Sequence, residues 1–493
     1  MKPYILSVDQ STSSTKVALF NNCADICGED SERHRQLYPK AGYVAHDGEE
    51  IYTNMLLAIK RLMEMTKTDE NDIAALALTN QRETVLVWNK ETGKPVHNAI
   101  VWQCNRAQEI CAAINQKGVG GTIKEKTGLI LSPYFSAAKV KWILDNVDGA
   151  AKLANQGKLA FGTVDSWLIW KLTDGAAHAT DFSNASRTQL FNIHTLQWDY
   201  ELMDIFGINP SMMPEVKYSD EIFGYTKVFS QAPIPITGIL GDSHAALFGQ
   251  NCFEIGMAKA TYGTGSSIMI NIGDKPISAN NGIVTSIGWG ANRKIKYVFE
   301  GNINSTGSTV DWLCNQLELI KSPQECCELA EKAGSNLGVY FVPSFVGLGA
   351  PYWNASSKAI ITGLTLNARK EHVVRAAEES IAYQIKDVID AMCEGSDTIF
   401  VNEVRVDGGP TNDRFLMQFQ ADILNVPVVI NEIQDISALG SVYMAGLAVG
   451  FWKSINEIKN LHTMRKIYKP ALPESDRNAL YAAWKAAVEQ VLR

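Results

Sequence analysis

The sequence predicts an α/β protein of two large domains, and three observations carry that expectation. Its 493 residues exceed what one hydrophobic core usually organises. Strand-like and helical runs alternate along the chain. Near residue 250 the opening pattern of strand, Gly/Ser/Thr-rich turn and second strand begins again, as a weak internal duplication. The two domains are expected over residues 1–248 and 249–493.

Composition excludes several classes. With 46% hydrophobic and 20% charged residues, the chain has no bias toward disorder, collagen or a disulfide scaffold. A net charge of -8 argues against a general nucleic-acid binder, which needs surplus Lys and Arg to replace the counterions around phosphates, so any phosphate site must be local. The opening MKPYILSVDQSTSS has too short an apolar stretch before Asp9 for a signal peptide, and a cytoplasmic protein is expected. The longest nearly apolar run, Ala438 to Trp452, is shorter than the roughly 20 residues that span a bilayer and reads as a buried helix, without membrane insertion. The nine cysteines are odd in number and irregularly spaced. Neither Cys23 with Cys27 nor Cys326 with Cys327 recurs as a zinc pair, so buried or incidental thiols are expected.

In chain order, YILSVD and KVALFN read as strands, Glu49 to Met65 as a helix, and IAALALT as another strand. Trp88-Asn89, the turn-rich ETGKPVH and then NAIVWQC predict a hairpin bending at Gly93 and Pro95, its second strand closing at Gln103 and Cys104. The segment AKATYGTGSSIMINIG repeats the pattern of residues 4–21. Val373, Ala377, Ile381, Ile385 and Val388 fall at helical spacing ahead of the strand-like VNEVRVDGG.

Three strand-to-turn junctions carry chemistry. Asp9-Gln10-Ser11-Thr12-Ser13-Ser14-Thr15-Lys16 stands between two predicted strands, where small residues let backbone amides approach phosphate oxygens and hydroxyls add donors. Asp9 would hold magnesium through water and Lys16 would offset phosphate charge; a solvated turn also accounts for this segment taken alone. The second junction is Gly241-Asp242-Ser243-His244 with Thr261-Tyr262-Gly263-Thr264-Gly265-Ser266, and the third is Val406-Asp407-Gly408-Gly409-Pro410-Thr411-Asn412. Three together point to a nucleotide cleft between two related domains. The Walker pattern is absent, and the N-terminal unit has no dinucleotide fingerprint.

The segments DQSTSSTK, TNQRETVLVW, NAIVWQCNR, PYFSAAKVKWILDN, FGTVDSWLIWKLTDG, DFSNASRT, LFNIHTLQWD, TYGTG, GLGAPYW, RVDGG and FLMQFQADIL, spread over residues 4 to about 485, resemble the glycerol kinase branch of the FGGY carbohydrate kinase family. Tyr134 through Asn146 also fits that family's first signature. The later one, around Gly363 to Glu379, fits less well because Glu378 stands where an apolar residue is usual.

The resemblance implies two actin-like, ribonuclease H-like domains closing over ATP and a small alcohol. It implies Arg82, Glu83, Trp102, Tyr134, Asp242 and Ser243 at the substrate, with Asp242 as general base. Thr12, Ser13, Gly263, Thr264 and Gly265 match residues on the nucleotide phosphates, Gly307, Gly408 and Gly409 match the adenosine side, and Ser14, Lys16, Asp311 and Asp413 are further cofactor-binding positions. Asp9 and Asp242 match the Mg2+ site. A homodimer or homotetramer is expected by the same analogy. A helix cap after Gly241 also accounts for Asp242, a surface ion pair for Arg82 and Glu83, and core packing for Trp102 and Tyr134.

Departures from the family pattern concern the pocket. Ser243 stands for the usual Gln, Ser267 for an apolar Phe, Ser11 for Gly, Lys16 for Arg and Asn105 for Arg. The first two shorten the side chain and would enlarge the pocket and make it more polar. His244 reads equally as a substrate ligand and as a hydrogen-bond partner behind Asp242. Three functions follow: a kinase of glycerol, forming glycerol 3-phosphate; a kinase of a larger polyol or ketose; and a non-catalytic ATP-binding sensor.

Overall fold

Two mixed sheets of matching connectivity organise the chain. A computed structural model describes residues 2–394, 398–431, 435–461 and 465–493. In the first sheet the strands run in spatial order Gly224–Thr226, Ile234–Gly241, Ile73–Asn80, Tyr4–Gln10, Ser14–Phe20, Ile26–Arg33. In the second the order is Val284–Ala291, Lys294–Ile303, Ser266–Gly273, Met257–Tyr262, Glu403–Asp407, Val428–Asn431, Arg465–Tyr468. Each sheet starts from an antiparallel hairpin with a three-residue turn, 11–13 or 263–265. Each first strand then pairs in parallel with a later one, Tyr4–Gln10 with Ile73–Asn80 and Met257–Tyr262 with Glu403–Asp407. The duplication read near residue 250 is therefore a repeat of topology as well as of residues.

Local chemistry explains the main elements. Asp47 caps the Gly48–Thr66 helix, its Oδ1 accepting from Glu49 N–H at 2.9 Å and Glu50 N–H at 3.3 Å. Ile51, Met55, Ala58, Ile59 and Leu62 then fall on its buried face. The helix read from Val373 to Val388 is Lys370–Cys393, with Ala377, Ile381, Ile385 and Val388 buried. The central strands are buried on both faces, as strands covered by helices must be.

The apolar run from Ala438 forms the buried helix Ile436–Ala448. Although late in the chain, it packs on the first sheet, where Leu439, Val442 and Met444 share a core with Ile5, Ala75 and Leu240. It also crosses the Asp242–Gly249 helix at backbone contact, since a Cβ at Gly440 would stand 1.8 Å from the carbonyl oxygen of Ala245. Gly440→Ala must push the two helices apart, which is expected to cost about 1–3 kcal/mol or more. A lowered urea midpoint together with reduced turnover is the expected result, because the displaced helix carries Asp242.

One expectation needs correction. The hairpin forms at Val85–Asn89, with Trp88 bridging Pro95, but its second strand is only Ala99–Ile100. Gln103 and Cys104 lie in turns beyond it: Trp102 N–H donates to Thr84 Oγ1 at 3.2 Å and Cys104 N–H to the Val101 carbonyl, which ends the ladder. Cysteines 104, 111, 252 and 326 are buried as expected, whereas Cys23 and Cys27 are exposed.

Candidate active site

The residues Arg82, Glu83 and Asp242 come together at the ends of the first sheet's strands. Arg82 and Glu83 follow strand Ile73–Asn80, and Asp242 follows Ile234–Gly241 as the first residue of its helix. Gly241 occupies the capping position, so the Asp242 carboxylate is not spent on a cap. Its Oδ1 accepts from Ser243 N–H at 2.6 Å and lies 3.1 Å from Arg82 Nε.

A buried chain of alternating charge stands behind Asp242. Arg82 donates from both terminal nitrogens to Glu300, at 2.8 and 2.9 Å. Arg187 donates from Nε to Glu83 Oε1 at 2.6 Å and places Nη1 2.9 Å from Glu300 Oε2. Burial pushes the Glu300 carboxyl up, but the guanidiniums of Arg187 and Arg82 override it and hold Glu300 well below the carboxylate range. Arg82 and Glu83 are buried, which overturns the surface ion-pair reading. Glu83 sits at φ 60, in the left-handed region a side chain seldom adopts.

Aromatic residues close one side. Trp102 and Tyr134 meet edge to face at 5.6 Å, and both are half-buried. Trp102 Nε1 donates to Thr12 Oγ1 at 3.0 Å, which ties this wall to the first hairpin turn. Burial and the neighbouring Glu83 carboxylate raise the Tyr134 phenol, keeping it a neutral donor.

The first turn is self-supporting despite Ser11. The Ser11 hydroxyl donates to the Ser14 carbonyl at 2.9 Å and accepts from Ser14 N–H at 3.3 Å, so a side chain closes the turn. His34 and Gln36 bond the Thr12 carbonyl from outside, at 2.8 and 2.6 Å, leaving Ser13 exposed at the tip. Lys16 is held by Asp435, 2.6 Å from its Oδ1, so its charge is matched within the protein before any phosphate arrives. Burial, and after it the carboxylates of Asp242 and Asp435, push the Asp9 carboxyl up to about 7.

Beside these residues the second sheet builds a cavity of about 550 Å³. The turn residues Gly263 and Thr264 line it with Gly307, Asp311, Gly409 and Asp413. The Gly307–Asn315 helix is fastened to the turn by Gly307 N–H to the Gly263 carbonyl, 2.9 Å, and Ser308 N–H to the Thr264 carbonyl, 3.1 Å. Gly408, at φ +99, passes so near the first strand that a Cβ would stand 1.9 Å from the Tyr262 carbonyl oxygen. The Thr261–Ser266 turn of the second junction and the Gly408–Asn412 turn of the third thus line one cavity.

Residues 4–249 match the description "FGGY family of carbohydrate kinases, N-terminal domain", and residues 258–449 match that family's C-terminal domain. A protein named glycerol kinase 1 from Thermotoga maritima is 52% identical over 490 residues, covering 99% of both chains. The chain belongs to the FGGY family of carbohydrate kinases. Among solved structures, Plasmodium falciparum glycerol kinase with ADP superposes on this FGGY kinase at a TM-score of 0.95, with 37% identity over 99% of this chain and 98% of that one. Gluconate kinase from Lactobacillus acidophilus, at TM-score 0.89 and 22% identity over 99% and 98%, shares the fold. The expected two-domain α/β fold is the fold of this family.

The remaining pocket residues refine the reading. Ser267 donates to Ser243 at 3.4 Å, and the buried Lys259 donates to Ser267 at 3.3 Å and to Thr261 at 3.1 Å. His244 is fully buried, with Nε2 3.3 Å from Ser286 Oγ, and burial followed by the nearby Arg82 charge lowers it far enough to stay neutral. It belongs to the scaffold behind Asp242. Sequence reading missed Arg187, Glu300, Lys259 and Asp435. A signal existed for two of them: a charged residue flanked by apolar or small ones within a strand, as Lys259 is between Ala258 and Ala260 and Glu300 between Phe299 and Gly301, needs a partner when buried.

Proposed function

We propose that this protein transfers the γ-phosphoryl group of ATP to a hydroxyl of glycerol, giving glycerol 3-phosphate. The observation carrying this reading is the placement of Asp242 beside Arg82 and close to Asp9, in a chain whose full-length relatives are named glycerol kinases. Arg82 and Glu83, with Trp102 and Tyr134, would hold the polyol, hydroxyls toward the charged pair and carbons toward the rings. Asp242 would accept the proton of the attacking hydroxyl. Thr12, Ser13, Ser14 and Lys16 with Gly263, Thr264 and Gly265 would embrace the phosphates, and the adenosine would lie among Gly307, Asp311, Gly408, Gly409 and Asp413. Closure of the two domains, with the helix Ile436–Ala448 staying on the first sheet, would exclude water from the transfer.

Asp9 and Asp242 would hold Mg2+: the Asp242 charge acts on the buried Asp9 carboxyl, and a divalent cation between the two would offset that repulsion. Bound there, the ion supplies positive charge to the phosphate oxygens. A cytoplasmic enzyme assembling as a homodimer or homotetramer completes the reading; light scattering on the purified protein checks the assembly.

A coupled ADP-release assay over glycerol, longer polyols and ketoses tests the proposal. Preference for glycerol is the expected result; ATP binding without acceptor-stimulated turnover would favour a sensor instead. The Ser243, Ser267 and Lys259 cluster favours a second reading, a longer polyol or ketose whose extra hydroxyls reach these groups. Under that reading, Ser243→Gln combined with Ser267→Phe raises the glycerol preference in kcat/KM roughly 10-fold over the longer acceptor. An unchanged ratio removes the serines from specificity.

A further inference from the structure

Glu378 is a carboxyl without an assigned task in the wall of the nucleoside cavity. It lies on the Lys370–Cys393 helix, is 2% exposed, and its Oε2 is buried without a hydrogen-bond partner. It lines the cavity together with Pro323, Gln324, Cys327, Asp413 and Leu416. An orphaned buried acceptor of this kind weakens the folded chain, so a partner arriving with a ligand would restore what the chain lacks.

Charge orients the ligand in this cavity. The Asp413 carboxylate stands near enough to Glu378 to act on it, while Gly263 and Thr264 belong to the hairpin turn between Met257–Tyr262 and Ser266–Gly273. A polyphosphate avoids the carboxylates and takes the glycine end. The base is then left against Glu378.

We propose that Glu378 reads the hydrogen-bonding edge of the nucleobase, presenting as an un-ionised acid one donor and one acceptor to the ring nitrogen and amino group of adenine. This inference rests on the nucleotide reading of the cavity given above. Burial, followed by the Asp413 carboxylate, pushes the Glu378 carboxyl up to about 8, and the Cys326 thiol that faces it opposes this only in part. Cations on neighbouring elements are engaged elsewhere: Arg375 pairs with Glu379 at 2.7 Å and Arg414 with Glu331. Below pH 8 the acid therefore complements adenine. Above it, the carboxylate offers acceptors only, which repel the ring nitrogen of adenine and suit the two adjacent donors of guanine.

Calorimetric binding of ADP and GDP to the full chain tests this without depending on turnover. The ratio of GDP to ADP dissociation constants is expected to fall about 10-fold between about pH 6.5 and pH 9, following the loss of the acid form. Glu378→Gln keeps one donor and one acceptor at every pH, so its ratio should stay flat near the acid-side value of the unaltered protein. Glu378→Leu should lower the ratio at pH 6.5 and abolish its pH dependence. A flat ratio in the unaltered protein, or a Gln variant that still follows pH, would overturn the role of Glu378 while leaving the nucleotide site standing. Failure of both nucleotides to bind would overturn the nucleotide reading, and the inference with it.

Discussion

Asp242→Asn is expected to lower kcat by about 10²- to 10⁴-fold, the range over which a positioned general base contributes. The substitution is nearly isosteric. An amide oxygen still accepts the 2.6 Å bond from Ser243 N–H, and the side chain remains beside Arg82, so the helix start keeps its geometry. What disappears is the ability to take a proton as the hydroxyl attacks phosphorus. KM for the acceptor should move far less than kcat, because Arg82, Glu83, Trp102 and Tyr134 are unchanged. Steady-state kinetics beside a urea unfolding curve separates this from simple loss of fold. A fall in kcat below about 10-fold with normal stability would remove Asp242 from the role of base.

The junction at Gly241-Asp242-Ser243 was legible in small residues beside one acidic group, while the place of Asp242 at the substrate followed only from the resemblance to the FGGY family. Ile234–Gly241 pairs in parallel with Ile73–Asn80, which brings Asp242 to the strand ends beside Arg82. The two hairpins with three-residue turns were legible because alternation stops at small polar residues and resumes. Less legible was the short second strand at Ala99–Ile100, since NAIVWQC has full strand character. Only the Thr84 hydroxyl, brought in by tertiary folding, diverts the amide of Trp102.

The charged network behind the site was invisible for a different reason. Arg82, Arg187 and Glu300 are each separated by more than a hundred residues, and no local pattern links them. Arg187 lies within a quoted family segment, DFSNASRT, yet nothing in its neighbours says that it faces two carboxylates. For His244 the sequence leaves substrate ligand and hydrogen-bond partner equally open; two positions past Asp242, at about 100° per residue, the helix carries it from the cleft to the core.

Arg187→Leu tests whether that network holds the site, with an expected loss of about 3–5 kcal/mol, the usual cost of breaking a buried ion pair on one side. Arg187 is 1% exposed and contacts both Glu83 and Glu300. Without it, three carboxylates, Glu83, Glu300 and Asp242, share the single guanidinium of Arg82. The pH dependence identifies the cause. The Glu300 carboxyl is depressed in the folded protein, so its contribution is present above its ordinary value of 4.5 and is lost as pH falls toward the folded value. In the variant that depression weakens, and an un-ionised Glu300 no longer needs Arg187. The stability gap between the two proteins, followed by urea unfolding, should therefore be widest near neutral pH and narrow as pH falls below about 4.5. A gap of constant size across that range would mean that lost packing of the long side chain against Phe135, 5.1 Å from the guanidinium, outweighs the loss of charge. Arg187→Lys keeps one charge but cannot reach both carboxylates in a plane, so it should recover only part of the stability and of the polyol affinity.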